Sequence, residues 1–278
     1  MNNKAFIEAA LAEDIGNGDH STLASIPADA QGSAVLKIKG DGVIAGIDLA
    51  QDIFEYLEPA ANFTFNKKDG DRVLNGEMAF EVDAKVHTIL QAERLVLNSM
   101  QRMSGIATLT SQYVDKIKGY HSKILDTRKT TPLFRAHEKE AVRIGGGYNH
   151  RMGLYDMVML KDNHIDFCGG IAKAIERTND YLRKNALNLK IEIETRTLDD
   201  VKEVLRVGNV HRIMLDNYTP AKIEEALALI DGKYETEASG GINIDTIESY
   251  ARTGVDFISV GALIHQAASM DLSLKAKA

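Results

Sequence analysis

The sequence predicts an α/β protein in two parts, an N-terminal α+β region followed by an incomplete barrel of βα repeats. Three observations predict it. Before Gly119, helix and strand patterns are mixed without a repeat, whereas after it six short apolar strands alternate with amphipathic helices, which implies a parallel sheet. The last three strand-to-strand spacings are each about 22 residues, one tight βα unit per repeat. Each strand ends on a polar or glycine position: Arg128 and Lys129, Lys161, Glu194, Asp216, Ser239 to Gly241, and Gly261. In a barrel such ends surround one opening, where barrel active sites sit. In a flat doubly wound sheet they would spread along an edge. Six units are two short of a regular eight-stranded barrel.

The N-terminal elements follow from periodicity. "KAFIEAALAEDI" places Phe6, Ile7, Ala10 and Leu11 at helical spacing, and "GNGDHST" ends it. "AVLKIKGDGVIAG" reads as strand, turn and strand. "DLAQDIFEYL" is an amphipathic helix, and "NFTFNKKDGDRV" and "EMAFEVDA" supply further strands. Val86 to Lys118 is helical in pattern, with Ser104-Gly105 the expected break.

The barrel strands read as "KILDTRK", "DMVMLKD", "KIEIET", "RIMLDN", "YETEASGG" and "DFISVGAL". Between them lie the helical stretches "CGGIAKAIERTNDYLRKN", "LDDVKEVLRVG" and "PAKIEEALALIDG". Low-complexity segments and proline-rich linkers are absent.

Composition narrows the function classes. The 278 residues suffice for one large domain or two smaller ones, and a formal net charge of −7 disfavours nucleic-acid binding. Cys168 is the single cysteine, so no intrachain disulfide forms, which suits a reducing cytoplasm. Glu8, Glu13 and Asp14 interrupt the N-terminus, which therefore lacks a signal-peptide core. The longest uncharged run, Phe257 to Met270, is shorter than the roughly 20 residues that span a bilayer, so no membrane role is expected.

The chemistry-bearing residues lie at the strand ends. In "KIEIET", Ile191 and Ile193 face one way and Glu192 and Glu194 the other. The glutamates either point into the barrel or form a half-solvated acidic face. Asp216, directly after a strand, suits a metal ion or a sugar hydroxyl, or else caps a turn. Ser239-Gly240-Gly241 can cradle a phosphate before the helix-forming "NIDTIESYA", and Gly261 fits the same role; an ordinary βα turn is the alternative. From Lys123 to His164 there are eight Lys/Arg against five Asp/Glu in an otherwise acidic chain. Arg128, Lys129, Arg151 and Lys161 are either surface cations or one anion site, and their shared barrel mouth favours the site. Arg135, Lys139 and Arg143 are expected on the solvated face of the intervening helix. Cys168 reads as a packed thiol, and His164 as a cap.

These residues, in this order, resemble the quinolinate phosphoribosyltransferase family. The matching stretches are "ALAEDIGNGDHST", "AERLVLNSMQRMSGIAT", "LDTRKTTP", "AVRIGGGYNHRMGLYDMVMLKDNHI", "IEIET", "IMLDN", "ASGGI" and "ISVGALIH", covering nearly the whole chain. Leu133-Phe134 departs from the family, which usually has glycine after the proline. The resemblance implies an N-terminal α/β sandwich domain (residues 1–112) and an open, incomplete six- or seven-stranded α/β barrel (113–266), the type II phosphoribosyltransferase fold. A C-terminal tail (267–278) is expected to pack on the sandwich. It implies that quinolinate and 5-phosphoribosyl-1-pyrophosphate give nicotinate mononucleotide, pyrophosphate and CO2, with Mg2+, in NAD biosynthesis. By the family pattern, Arg94, Thr127, Arg128, His150, Arg151 and Lys161 surround quinolinate. Lys129, Glu194, Asp216, Ser239, Gly240, Gly241 and Gly261 bind the phosphoribosyl substrate. Lys129, Lys161, Glu194 and Asp216 are the expected catalytic residues, and Glu194 and Asp216 face magnesium, partly through water and substrate. A cytoplasmic homodimer or larger homo-oligomer is expected, with Arg94 contributed across the interface.

Three rivals differ in what they require. A paralogue of the same fold, associated with molybdenum transport, has no need of the basic set. A Schiff-base aldolase would use Lys161 as an amine of depressed pKa in a dry pocket. A sugar-phosphate sensor needs the phosphate loop without the cation cluster.

Overall fold

The computed structural model describes residues 3–277. Contacts divide the chain into two compact units. One comprises residues 1–111, 130–146 and 263–278; the other comprises 112–129 and 147–262. Residues 130–146 thus group with the N-terminal elements, whereas the sequence reading places them in the barrel domain.

The first unit is built on a four-stranded antiparallel sheet in the order Leu272–Ala276, Gln31–Ile38, Met78–Lys85, Asn62–Phe65. The C-terminal strand joins by pairing Ala34 with Ala276 through Ile38 with Leu272. Both strands read in "AVLKIKGDGVIAG" are present, and the second, Gly42–Val43, pairs with Arg72–Val73. The helices Asn3–Ile15, Ile47–Leu57 and Val86–Lys116 contribute Ile7, Phe54 and Met100 to a core shared with Leu36, Ile38 and Phe80. Each such side chain contributes about 1.5–3 kcal/mol by leaving water.

The long helix runs unbroken from Val86 to Lys116, so Ser104-Gly105 is not a break. Those residues are small because they touch other backbone. Ser104 Oγ accepts the Ala45 N–H at 2.9 Å, and a Cβ on Gly105 would stand 2.0 Å from the Ala268 carbonyl oxygen. The helix Arg135–Ile144 also departs from expectation. Only Arg143 of its three cations is solvated; Arg135 bonds Thr130 Oγ1 at 2.9 Å, and Lys139 is buried. This helix is polar yet interior because buried Glu138 takes Arg102 at 2.9 Å and the Thr131 N–H at 2.7 Å.

The second unit is a six-stranded parallel sheet in the order Lys123–Leu125, Phe257–Ser259, Glu235–Ser239, Arg212–Asp216, Ile191–Thr195, Val158–Leu160. All six barrel strands read from the sequence are present. The two end strands do not pair, so the barrel is open. The helices Asp162–Cys168, Ile171–Lys184, Leu198–Val207 and Pro220–Ile230 alternate with these strands. Thr197 and Thr219 begin the last two by accepting the Asp200 and Lys222 N–H groups.

Ile191 and Ile193 are buried on one face of their strand and Glu192 and Glu194 on the other, so the half-solvated alternative fails. Parallel pairing sets Glu194 beside Met214, Ser239 beside Asp216, and Glu237 beside Phe257. With period-2 alternation, this aligns one interior stripe from Glu192, Arg212 and Glu237 up to Glu194, Asp216 and Ser239.

Candidate active site

The site is assembled at the C-terminal ends of the barrel strands, within the second unit. After Leu125 the chain places buried Asp126, then Thr127, Arg128 and Lys129. The Thr127 hydroxyl accepts the Lys129 N–H at 3.1 Å and shapes this turn. Asp126 reaches sideways: its carboxylate accepts the His150 N–H at 2.9 Å and the Asn149 side-chain amide at 2.5 Å. Tyr148 bonds Ile124 and Asp126 through its backbone, so residues 147–151 run alongside the first strand. The glycine-rich segment thereby sets Arg151 near Arg128.

The two guanidinium groups define the basic half. Burial and then the neighbouring Arg128 charge hold Arg151 below its ordinary value. Arg151 Nη1 donates to the Met157 carbonyl at 3.2 Å, while Arg128 Nε is buried with no hydrogen-bond partner. The Lys129 side chain is exposed. Lys161 begins the helix Asp162–Cys168, where its N–H donates to His164 Nδ1 at 3.0 Å, so His164 is a cap. Cys168 is half-buried beside Arg177 at 3.7 Å.

The acidic half begins at Lys161, whose Nζ lies 4.0 Å from Glu194. Burial, and then the nearby Asp216 charge, raise the Glu194 carboxyl above its ordinary value, with Lys161 opposing. Asp216 accepts Ser239 Oγ and the Asn217 amide, each at 2.6 Å. Two neighbouring carboxylates of this kind suit a divalent cation by donor chemistry.

The loop Ser239-Gly240-Gly241 turns with φ of +95° and +64° at its glycines, and a Cβ on Gly240 would meet Asn217 Oδ1 at 2.2 Å. Its close backbone packing fits an anion cradle, but the expected helix does not follow directly. Helix begins only at Ile247, so no helix dipole aids this loop. Gly261 closes the last strand, ahead of the short helix Ala262–His265.

His150, expected to face quinolinate, is turned inward. Its side chain is 5% exposed, with Nε2 2.9 Å from Glu192 and 3.5 Å from Glu237. Nδ1 accepts the Arg151 N–H at 2.6 Å. Burial alone would lower the imidazole pKa; hydrogen bonds to the two glutamates outweigh it and hold it up at about 9. Glu237 also takes Arg212 Nη1 at 2.8 Å and the Ser259 hydroxyl, and Arg212 lies 3.9 Å over the Phe257 ring. Burial raises Glu237, but its hydrogen bond to His150 and the other donors outweigh this and bring it to about 2. Burial and the Glu237 charge push Glu192 up to about 7. Glu237 and Arg212 escaped the sequence reading, although the alternation in "ETEAS" sets Glu237 on the same face as Ser239. Arg94 lies outside this unit, exposed on the helix Val86–Lys116.

The comparisons with known proteins agree along the whole chain. Residues 19–104 match the quinolinate phosphoribosyl transferase N-terminal domain and residues 106–275 its C-terminal domain. The chain is 46% identical to the chloroplastic nicotinate-nucleotide pyrophosphorylase [carboxylating] of Arabidopsis thaliana, covering 98% of this chain and 82% of that one. It is 40% identical to the probable nicotinate-nucleotide pyrophosphorylase [carboxylating] of Bacillus subtilis (strain 168), over 98% and 92%. Among solved structures, NadC from Streptococcus pyogenes superposes with a TM-score of 0.92 at 38% identity, covering 99% of this chain and 97% of that one. With both domains matched in order and relatives of this identity along its length, the chain belongs to the quinolinate phosphoribosyltransferase family.

Proposed function

We propose that Arg128 and Arg151 bind the two adjacent carboxylates of quinolinate, beside a phosphoribosyl site made by Lys129, Lys161, Glu194, Asp216 and the 239–241 loop. The enzyme transfers phosphoribosyl from 5-phosphoribosyl-1-pyrophosphate to quinolinate with decarboxylation, giving nicotinate mononucleotide, pyrophosphate and CO2 in NAD biosynthesis. The observation that carries the site assignment is the Arg128–Arg151 pair. Two neighbouring guanidiniums, one with a buried donor left unpaired, are stabilised by a dianion.

The ring nitrogen attacks the anomeric carbon, and the bond to pyrophosphate breaks. Positive charge develops on the ribose, as in glycoside cleavage, and Glu194 and Asp216 stabilise it. Lys129 and Lys161 take up the negative charge of the leaving group. Glu194 and Asp216 would hold magnesium, which when bound would supply further positive charge to the leaving pyrophosphate. Once the nitrogen is quaternised, the bond to the adjacent carboxylate breaks. Its electron pair stays on the ring carbon beside the positive nitrogen, and a proton replaces CO2. The arginines hold that carboxylate until the nitrogen has reacted. Ser239, Gly240, Gly241 and Gly261 hold the 5-phosphate through backbone and hydroxyl donors.

Arg94 completes the quinolinate site from a neighbouring subunit, which makes the enzyme at least a dimer. It is exposed and without an ion-pair partner among the described residues. The cytoplasm is the proposed location, and no helix among the described residues is long and apolar enough to cross a membrane. The Schiff-base alternative is disfavoured because Lys161 is 51% exposed and faces a carboxylate, not a dry apolar pocket. The test is to incubate the protein with quinolinate, magnesium and phosphoribosyl pyrophosphate. Nicotinate mononucleotide with equimolar CO2 is expected; neither product would contradict the reading.

A further inference from the structure

We infer that Asn217 is a positioning residue for Asp216, aiming its carboxylate and tying it to the 239–241 turn. The inference rests on the reading that Asp216 and this turn bind the phosphoribosyl substrate. Asn217 follows directly on the strand Arg212–Asp216 and takes the left-handed conformation, with φ of +57°. It is exposed, so core packing does not account for it. Left-handed backbone strains most side chains, and glycine is the residue that adopts it freely. Asparagine tolerates it too, and adds an amide that glycine lacks. What that amide touches is the site.

Asn217 Nδ2 donates to Asp216 Oδ2 at 2.6 Å, and the Ser239 hydroxyl donates to Oδ1 at 2.6 Å. An ionised carboxylate only accepts, so the amide turns its NH2 end toward it and its carbonyl end away. That carbonyl end lies against Gly240, where a Cβ would stand 2.2 Å from Oδ1 and 2.9 Å from the Asn217 backbone nitrogen. The Asn217 N–H donates to the Ser239 carbonyl at 2.8 Å, which extends the parallel pairing of Asp216 with Ser239 by one step. Asp216, Asn217 and Ser239 thus close a ring of three hydrogen bonds across two neighbouring strand ends. Each carboxylate oxygen carries one fixed donor and keeps a second lone pair for a ligand. Two donors, one on each oxygen, set the plane of the carboxylate. Without the amide only Oδ1 is held, and the group turns about its soft terminal torsion. Asn217 also leaves room only for glycine at position 240, so the carboxylate and the turn are set together.

The experiment measures steady-state kinetics for phosphoribosyl pyrophosphate, and quinolinate binding by calorimetry, in folded variants. Asn217→Gly keeps the left-handed backbone and removes the amide. It should lower kcat/KM for phosphoribosyl pyrophosphate about three- to tenfold, the scale of one hydrogen bond, with quinolinate affinity within about twofold of wild type. Asn217→Asp keeps the shape but turns an acceptor toward Asp216, and should lose at least as much. The double variant Asp216→Asn/Asn217→Gly should fall no more than about twofold below Asp216→Asn, because a residue that acts through a carboxylate adds little once that carboxylate is gone. A purely structural Asn217 would instead give additive losses and weaken quinolinate binding as well. Wild-type kcat/KM in Asn217→Gly, near-wild-type activity in Asn217→Asp, or additivity in the double variant would overturn the inference. Asp216→Asn alone serves as the control. If it leaves kcat unchanged, the reading of the phosphoribosyl site fails, and this inference with it; a failure of the Asn217 results alone leaves that reading standing.

Discussion

Arg151 is held below its ordinary pKa by burial and by the charge of Arg128, and no carboxylate ion-pairs with either guanidinium among the described residues. Elsewhere in the unit, interior cations are matched: Arg212 has Glu235 and Glu237 at 3.0 and 2.8 Å. That pair, with no ion-pair partner among the described residues, is what supports the proposed quinolinate site.

Glu194→Gln and Asp216→Asn should lower kcat by at least tenfold while leaving quinolinate affinity within about twofold, since charge on the ribose develops only in the transition state. Steady-state kinetics with calorimetry separate the two effects. A change confined to quinolinate affinity would place these carboxylates on the wrong substrate.

Leu133 occupies a left-handed conformation with φ of +64° and is 76% exposed. Relieving a left-handed side chain gains roughly 1–2 kcal/mol, and the added freedom of the unfolded chain removes roughly 0.4–1. Leu133→Gly should therefore raise stability by about 0.5–1 kcal/mol in urea denaturation. A loss of stability would mean that the leucine side chain makes a compensating contact.

Strand alternation made the barrel legible, because "KIEIET" and "RIMLD" display the period-2 pattern that burial imposes. The glycines were harder. Gly105 looks like a helix break in sequence, and only the approach of Ala268 shows that it is a packing contact. Ser239-Gly240-Gly241 looks like a helix N-terminus, yet the following residues stay irregular until Ile247. The inward orientation of His150 Nε2 was not legible in the sequence. That depends on Glu192 and Glu237, which belong to different strands and meet only when the sheet curls. Lys139 likewise reads as a solvated helix cation because sequence periodicity does not reveal what packs on a polar face.

Arg94→Ala and Lys129→Ala should each nearly abolish activity as pure homodimers. In a mixed dimer one site receives both defects, and the other receives a normal Arg94 from one chain and a normal Lys129 from its partner. Activity should return to at most half the wild-type value per mixed dimer. Isolated mixed dimers as inactive as their folded, dimeric parents would mean that Arg94 does not act across an interface.

The central claim is that Arg128 and Arg151 read two adjacent carboxylates. The most direct measurement is kcat/KM for quinolinate against nicotinate, which lacks the second carboxylate. Losing one charged hydrogen bond costs roughly 1.5–3 kcal/mol, so quinolinate should be preferred by roughly 10- to 150-fold or more. Comparable kcat/KM for the two acids would contradict the account.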